Sequence, residues 1–241
     1  MSTLRKVMGI HSCHETFKVR PQKIEKVWIR DTWKDSKELS DFYNLTKSLK
    51  IKIDPVGVGF LDKWGRGHQG IGIEVSESPV FDYQALKKKE NALLLALDGI
   101  EDPQNLGAII RSAWLMGVNG ILTTKSHSSP LSPTVNKVAS GGVEHVPIEV
   151  ESSLSSALKS LKDQDFWIFG LTSTAPQVIW NSKIPAKLVL VLGSEGGGLK
   201  KPILSMCDEI FRLKQITEQA SLNVSVAAAC AMNEVFRQWE I

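Results

Sequence analysis

Cysteine is scarce in this chain: Cys13, Cys207 and Cys230 are the only three in 241 residues, with no close pair and no C-x-x-C spacing. An odd, scattered set argues against a disulfide framework or a zinc site and suits a reducing cytosol. No apolar run approaches the roughly 18 residues of a membrane-spanning helix. The opening "MSTLRKVMGI" also lacks the apolar stretch of a signal peptide. A cytoplasmic protein with no membrane partner and no metal is therefore expected. Internal repeats and low-complexity segments are missing too. Overall charge is small, at +3, but uneven. Residues 1–89 hold 17 Lys+Arg against 11 Asp+Glu, a balance of +6, and residues 90–241 hold 12 against 15, a balance of −3. A basic front on a mildly acidic back fits a polyanion-docking module joined to a catalytic one. A solvated lysine-rich surface gives the same numbers.

Apolar residues make up 42% of the chain, enough for a real core. Two regimes follow one another. Residues 1–75 read as a small α/β unit. It has a strand around Val27–Ile29 and a helix in "DSKELSDFYNLTKSLK" with Leu39, Phe42, Leu45 and Leu49 at helical spacing and Ser36 as N-cap. A strand in "IKIDPV" is stopped by Pro55, and a short strand in "HQGIGIEV" follows the turn at Gly70. Residues 76–90 are polar and lysine-rich with no period, which marks a linker. From residue 91, strands alternate with helices. "ALLLALD", "FWIFGL" and "KLVLVLG" are continuous apolar strands, and "SLNVSVAAACAMNEVFRQW" is a long final helix. That pattern predicts a parallel sheet covered on both faces, with ligands beyond the carboxyl ends of its strands. The expected layout is 1–78, a linker at 79–90, and 91–241.

The segment "LVLVLGSEGGGLKKP", residues 188–202, is a glycine loop after a strand, yet phosphate chemistry is missing from it. Counting a P-loop from Gly193 puts Gly198 correctly, but Leu199 stands where lysine is needed and Lys200 where a hydroxyl is needed. The dinucleotide fingerprint fails at Lys201, and Glu195 would repel a polyphosphate. The loop suits an uncharged or cationic ligand: a sulfonium cofactor, or an adenine or ribose edge. A plain strand-to-helix turn is the alternative.

Two further segments carry chemistry. In "LDGIEDPQNLGAIIRSAW", residues 97–114, Asn105 is a natural helix N-cap. Arg111 interrupts a face of Ile109, Ile110, Ala113 and Trp114. A guanidinium there needs a partner such as phosphate, or snorkels to water. In "ASLNVSVAAACAMNEV", residues 220–235, Ser221 can cap the long helix, with Asn223 and Ser225 in its first turns.

"EDPQNLGAIIRSA", "LVLGSEGGGL" and "ASLNVSVAAACAMNEVFRQ", in this order, resemble the three signature motifs of the SpoU/TrmH family of RNA ribose 2′-O-methyltransferases, within the SPOUT superfamily. The front segment, with "VMGIHSC" and "GHQGIGIEV", looks like the small ribosomal-protein-like RNA-binding domain found ahead of the catalytic domain in bacterial 23S rRNA guanosine methyltransferases of this family. The resemblance implies an α/β fold: a parallel-sheet catalytic domain with a C-terminal trefoil knot, against the usual rule on threading, preceded by a small α/β RNA-binding domain. It also implies a homodimer through the knot and S-adenosylmethionine as cofactor. Structured RNA is the implied partner, with rRNA favoured over tRNA. By motif position, Gly193, Leu213 and Leu222 would contact the cofactor, with the strand end at Leu171 and Thr172 and the loop glycine Gly198. Arg111, Asn105, Glu195, Ser221 and Asn223 would form the catalytic set. One departure stands out: Thr217 occupies a position where the third motif usually has glycine, which puts the cofactor loop's geometry in question.

Methyl transfer from a sulfonium to a ribose hydroxyl needs in-line alignment and neutralisation of the developing alkoxide. No histidine falls in a matched motif. Arginine holds its proton tightly, so Arg111 reads first as phosphate clamp and electrostatic stabiliser. Asn105 and Asn223 would orient the ribose or Arg111, Glu195 would fix Asn105 or Arg111, and Ser221 would bond cofactor or substrate. A tRNA methyltransferase and a non-catalytic RNA-binding paralogue remain as alternatives. The failed phosphate motifs count against a nucleotide-binding enzyme.

Overall fold

Two sheets organise the chain, one mixed and four-stranded, the other seven-stranded and parallel throughout. The structure is a computed structural model describing residues 4–194, 196–217 and 219–240. The chain divides into two units: Met1–Pro79 with Pro130–His145, and Val80–Ser129 with Val146–Ile241.

In the first unit the elements run β1 (Arg5–Met8), α1 (Ile10–Val19), β2 (Ile24–Arg30), α2 (Lys37–Ser48), β3 (Lys52–Val56), α3 (Val58–Asp62) and β4 (Ile71–Val75). The sheet order is β1-β4-β2-β3. Alternation puts Val7, Val27, Ile29, Ile71 and Ile73 on one face, against Cys13 and Phe17 of α1 and Leu39 and Phe42 of α2. Each such side chain contributes roughly 1.5–3 kcal/mol on burial. Ser36 caps α2 by accepting from the Leu39 amide, as its position predicts. Leu45 and Leu49, at helical spacing, are 39% and 42% exposed, so the buried stripe is shorter than the period suggests. Pro55 does not stop β3 but lies within it, opposite Ile29. The sheet order makes β3 an edge strand, where a missing N–H is tolerated. Helix α1 has no apolar period because its buried face includes Ser12 and Thr16, the latter bonded to the Ser12 carbonyl.

The second unit begins with α4 (Tyr83–Lys88), a short helix in a stretch that carries no period; Asp82 creates it by capping the Ala85 amide. Then come β5 (Ala92–Asp98), α5 (Pro103–Leu115) and β6 (Gly120–Thr124). The chain next returns to the first unit for α6 (Pro133–Val138). There Glu144, 1% exposed at its side chain, pairs with Arg5 at 2.6 Å, and Asn136 accepts from Arg5 at 2.7 Å. Thr16 donates to Glu144, and Ser12 to the Asn136 carbonyl. Back in the second unit follow β7 (Ile148–Glu151), α7 (Leu154–Lys162), β8 (Trp167–Leu171), β9 (Gln177–Val178) and β10 (Lys187–Gly193). The chain ends with α8 (Lys201–Leu204), β11 (Glu209–Arg212) and α9 (Val224–Gln238).

The parallel sheet has the order β7-β6-β5-β10-β8-β11-β9. All seven residues of β5 are buried, and β10 beside it is buried through Leu188–Leu192, as continuous apolar runs require. Leu154, Leu158 and Leu161 of α7 pack against Phe166, Ile168 and Val189 in one core. Register aligns the carboxyl ends. Gly193 lies opposite Asp98, Leu192 opposite Leu171, and Phe211 opposite Leu171. The loops leaving β5, β8, β10 and β11 therefore emerge at the same edge of the sheet.

Candidate active site

The loop after β10 closes on itself. Ser194 and Gly198 form an isolated antiparallel bridge, with the Gly198 amide donating to the Ser194 carbonyl at 3.0 Å. Gly196 and Gly198 hold φ of 80° and 61°, which favour glycine. Gly193 is needed for a different reason. A Cβ there would sit 2.2 Å from the Gly198 carbonyl carbon and 2.5 Å from the Leu199 amide nitrogen, both backbone atoms. The far end of the loop is anchored by Asp98, a buried carboxylate at the end of β5. It accepts from the Lys200 amide at 3.0 Å and pairs with the Lys200 ammonium at 3.2 Å.

Against this loop lies a cavity of about 210 Å³. Leu171, Thr172 and Ser173 line it from the end of β8, and Leu192, Gly193, Ser194, Gly196 and Gly198 from β10 and its loop. Leu213, Gln215, Ser221, Leu222, Val224 and Ala227 line it from the last segment and α9. All six residues expected around a cofactor (Leu171, Thr172, Gly193, Gly198, Leu213 and Leu222) thus share one wall system. No lysine or arginine is among the described lining residues, so a polyphosphate has nothing to neutralise it there. Leucines beside loop backbone and a few hydroxyls suit a flat, largely uncharged group such as an adenosyl moiety. The stretch ahead of α9 is drawn together by Gln215, whose amide donates to the Ala220 carbonyl at 2.8 Å. Thr217 accepts weakly from the Gln219 amide at 3.5 Å.

A neighbouring cavity of about 300 Å³ shares Ser194 and Val224 with the first and adds Gly99, Ile100, Glu101, Asp102 and Asn105. Here the first and third segments meet: Asn223 Nδ2 donates to Asn105 Oδ1 at 2.9 Å. Both asparagines depart from their sequence reading. Asn105 is not the N-cap of α5. Asp102 is, accepting from the Gln104 amide at 2.8 Å, because Pro103 occupies the first helical position and shifts the start forward. Asn105 is instead buried inside the first turn, 7% exposed. Ser221 does not cap α9. Asn223 does, accepting from the Ser225 amide at 2.9 Å, while Ser221 lines the glycine-loop cavity two residues earlier.

Arg111 is not gathered with them. Ile109, Ile110 and Ala113 are buried, but Arg111 is exposed on another side of α5 and makes no hydrogen bond or ion pair with any described residue. It does not interrupt the apolar face; it lies beside it. Glu195 falls outside the described residues. Sequence reasoning did not assign Asp98, Ser194, Gln215 or Val224 to the site. Asp98 had the strongest signal, a lone carboxylate ending an apolar strand at the edge where ligands bind. Among the described residues no group of three or more His, Cys, Asp or Glu could hold a metal, and no helix is long and apolar enough to cross a membrane.

Comparison with known proteins finds two family models in sequence order, with residues 130–145 falling inside the second. Residues 92–233 match the model of the SpoU rRNA Methylase family, and residues 6–81 match that for RNA 2′-O ribose methyltransferase substrate binding. The chain is 33% identical over 244 residues to the 23S rRNA (guanosine-2′-O-)-methyltransferase RlmB of Pseudomonas aeruginosa, covering 99% of this chain and 98% of that protein. The RlmB of Coxiella burnetii is 34% identical, covering 100% and 98%. Among solved structures, the SpoU methyltransferase AviRb from Streptomyces viridochromogenes in complex with AdoMet superposes with a TM-score of 0.86. Its identity is 19%, covering 98% of this chain and 91% of that one.

Proposed function

This chain belongs to the SpoU rRNA Methylase family, and from that premise we propose that it methylates the ribose 2′-hydroxyl of a guanosine in 23S rRNA. The enzyme class is S-adenosylmethionine-dependent RNA 2′-O-ribose methylation. The rRNA guanosine is favoured by full-length similarity to the RlmB proteins. The observation that carries the reading is the Asn223–Asn105 hydrogen bond beside the glycine-loop cavity, which unites the first and third motifs at the sheet's carboxyl edge.

S-adenosylmethionine supplies an electrophilic methyl group on a good leaving group. The cavity fits its adenosyl part, with Gly193, Gly198, Leu171, Thr172, Leu213 and Leu222 as the holding residues. Asn105 and Asn223 orient the ribose, and Ser221 bonds cofactor or substrate. Arg111 takes the adjacent phosphate and stabilises the developing alkoxide. Glu195 completes the set by fixing Asn105 or Arg111.

The catalytic domain is read as 91–241 with a C-terminal trefoil knot, and the chain as a homodimer joined there. Two features of the single chain support the dimer. Leu115 on α5 and Val226 on α9 are 66% and 47% exposed. Arg111, on α5, waits without a partner among the described residues, as expected if two chains build each site. Residues 1–78 are read as the RNA substrate-binding domain, linked by 79–90, and the protein as cytoplasmic.

The test is transfer of labelled methyl from S-adenosylmethionine to unmodified 23S rRNA, with the site mapped by 2′-O-methyl detection. One labelled guanosine is expected. Label in tRNA alone would move the target. Absence of both label and calorimetric cofactor binding would leave a non-catalytic paralogue.

A further inference from the structure

The first unit has a second face, opposite its core. Across it the register sets Lys6, Glu74, Lys26 and Lys52 in one row. Next to the row, α3 and the following turn cover the sheet with aromatic residues. Trp28, 8% exposed, is stacked on Phe60 at 5.8 Å and 27° and meets Trp64 edge-on at 5.2 Å. Lysines flank this cluster: Lys6 lies 5.0 Å over Trp64, and Lys26 lies 4.6 Å over Trp28.

Two properties of this face are unexplained by the fold. The first is exposed apolar surface. Phe60 is 37% exposed and Val58 51%, between Gly57 and Gly59, where an added Cβ would meet nothing within 4 Å. A ring fixed from behind by Trp28 and open in front is a stacking platform. The second is charge. The acids Asp54 and Asp62 are engaged, with Lys26 at 2.6 Å and His68 at 3.1 Å. Lys52, Lys63 and Arg66 are exposed and make no salt bridge with any described residue. Glu74, between Lys6 and Lys26, is the remaining acid of the row. The unmatched charge is therefore positive: Lys52 shares the face with the open ring, and Lys63 and Arg66 follow Phe60 within six residues in the chain.

We propose that this face holds unpaired RNA, with Phe60 stacking on a base and Lys52, Lys63 and Arg66 taking phosphates. The proposal rests on reading the first unit as the RNA-docking part, and it says where that docking occurs. An unpaired strand is required because a duplex keeps its bases stacked inside, beyond reach of the ring.

The test uses the full chain, a fluorescent hairpin RNA with an unpaired loop, and anisotropy titrations across a salt series. Phe60→Ala should weaken binding by about fivefold or more, as loss of base stacking does, and Phe60→Tyr should retain it. A variant with Lys52→Ala, Lys63→Ala and Arg66→Ala should flatten the slope of log K against log salt by about 2, near 0.7 per lost phosphate contact. Lys159→Ala, on α7, serves as control and should change neither. Cofactor affinity should be the same in every variant. Unchanged affinity and slope in both test variants would overturn the proposal and point to a protein partner for the patch. Equal tightness for a fully paired duplex would overturn it as well. A wild-type chain that binds the hairpin but transfers no methyl to any RNA counts against the proposed reaction alone.

Discussion

Arg111 is the residue whose position is most telling. An exposed guanidinium without a described partner adds little to the fold, so its removal should be nearly silent in stability, within about 0.5 kcal/mol. If it stabilises charge in the transition state, Arg111→Ala should cut methyl transfer by about 100-fold or more, the range for losing such a donor. Calorimetric cofactor affinity should hold. Turnover close to wild type would remove Arg111 from the catalytic set. Asp98 contrasts with it: buried and doubly bonded to Lys200, it acts by holding the glycine loop. The sequence signalled Arg111 by a motif and Asp98 only by a place on a strand. Neither Asn105 nor Ser221 is a cap, because helix starts depend on where the backbone turns, and Pro103 and Asn223 decide that locally.

At the scale of elements, backbone closure of the glycine loop can be tested directly. In Gly193→Ala the new methyl would meet backbone at 2.2–2.5 Å, and backbone cannot swing aside as a side chain can. The loop must open, and cofactor affinity should fall at least about tenfold, which corresponds to roughly 1.4 kcal/mol. The final helix offers a pH prediction. Arg237, followed by Gln238, hydrogen-bonds Glu234 and holds its carboxyl below the usual carboxylate range, outweighing the opposing effect of burial. A carboxyl depressed in the folded state stabilises fully above its unfolded pKa, about 4.3, and loses that contribution as pH falls through the folded value. Glu234→Gln should therefore lower the melting temperature at neutral pH, with the gap closing in acid; an equal gap at both ends would exclude the linkage. Elements with continuous or periodic apolar residues, such as β5, β8, β10, α7 and α9, were legible in sequence. Helix α1 and strand β7 were not. The buried face of α1 is partly Ser and Thr, and β7 is a polar edge strand, "IEVE". Neither carries the hydrophobic signal that pattern reading detects.

At the scale of the whole molecule, the charge imbalance and the switch in pattern near residue 91 announced two parts. The return of residues 130–145 to the first unit gave no such sign, because a buried Glu144 looks like any surface glutamate until Arg5 is placed beside it. That pair joins positions 139 residues apart in sequence. Arg5→Ala would leave Glu144 charged and buried without its closest partner, which typically costs about 3–5 kcal/mol. Thermal unfolding followed by hydrogen exchange should show protection lost in both β1 and residues 133–145, and loss confined to one of them would mean the two do not fold together.

The discontinuous first unit also bears on how the chain is made. Ser12, Thr16 and Arg5 leave the ribosome early, but the groups they bond to, Asn136 and Glu144, are translated more than 120 residues later. At synthesis rates of roughly 5–20 residues per second, that interval lasts on the order of 6–25 seconds. Throughout it, the nascent first unit carries Arg5 without Glu144, and its buried polar pairs close only after β5 and β6 of the second unit have been synthesised. That delay, set by the spacing in sequence between the two pieces of one unit, is a window in which a chaperone or the ribosome surface has buried polar groups to protect.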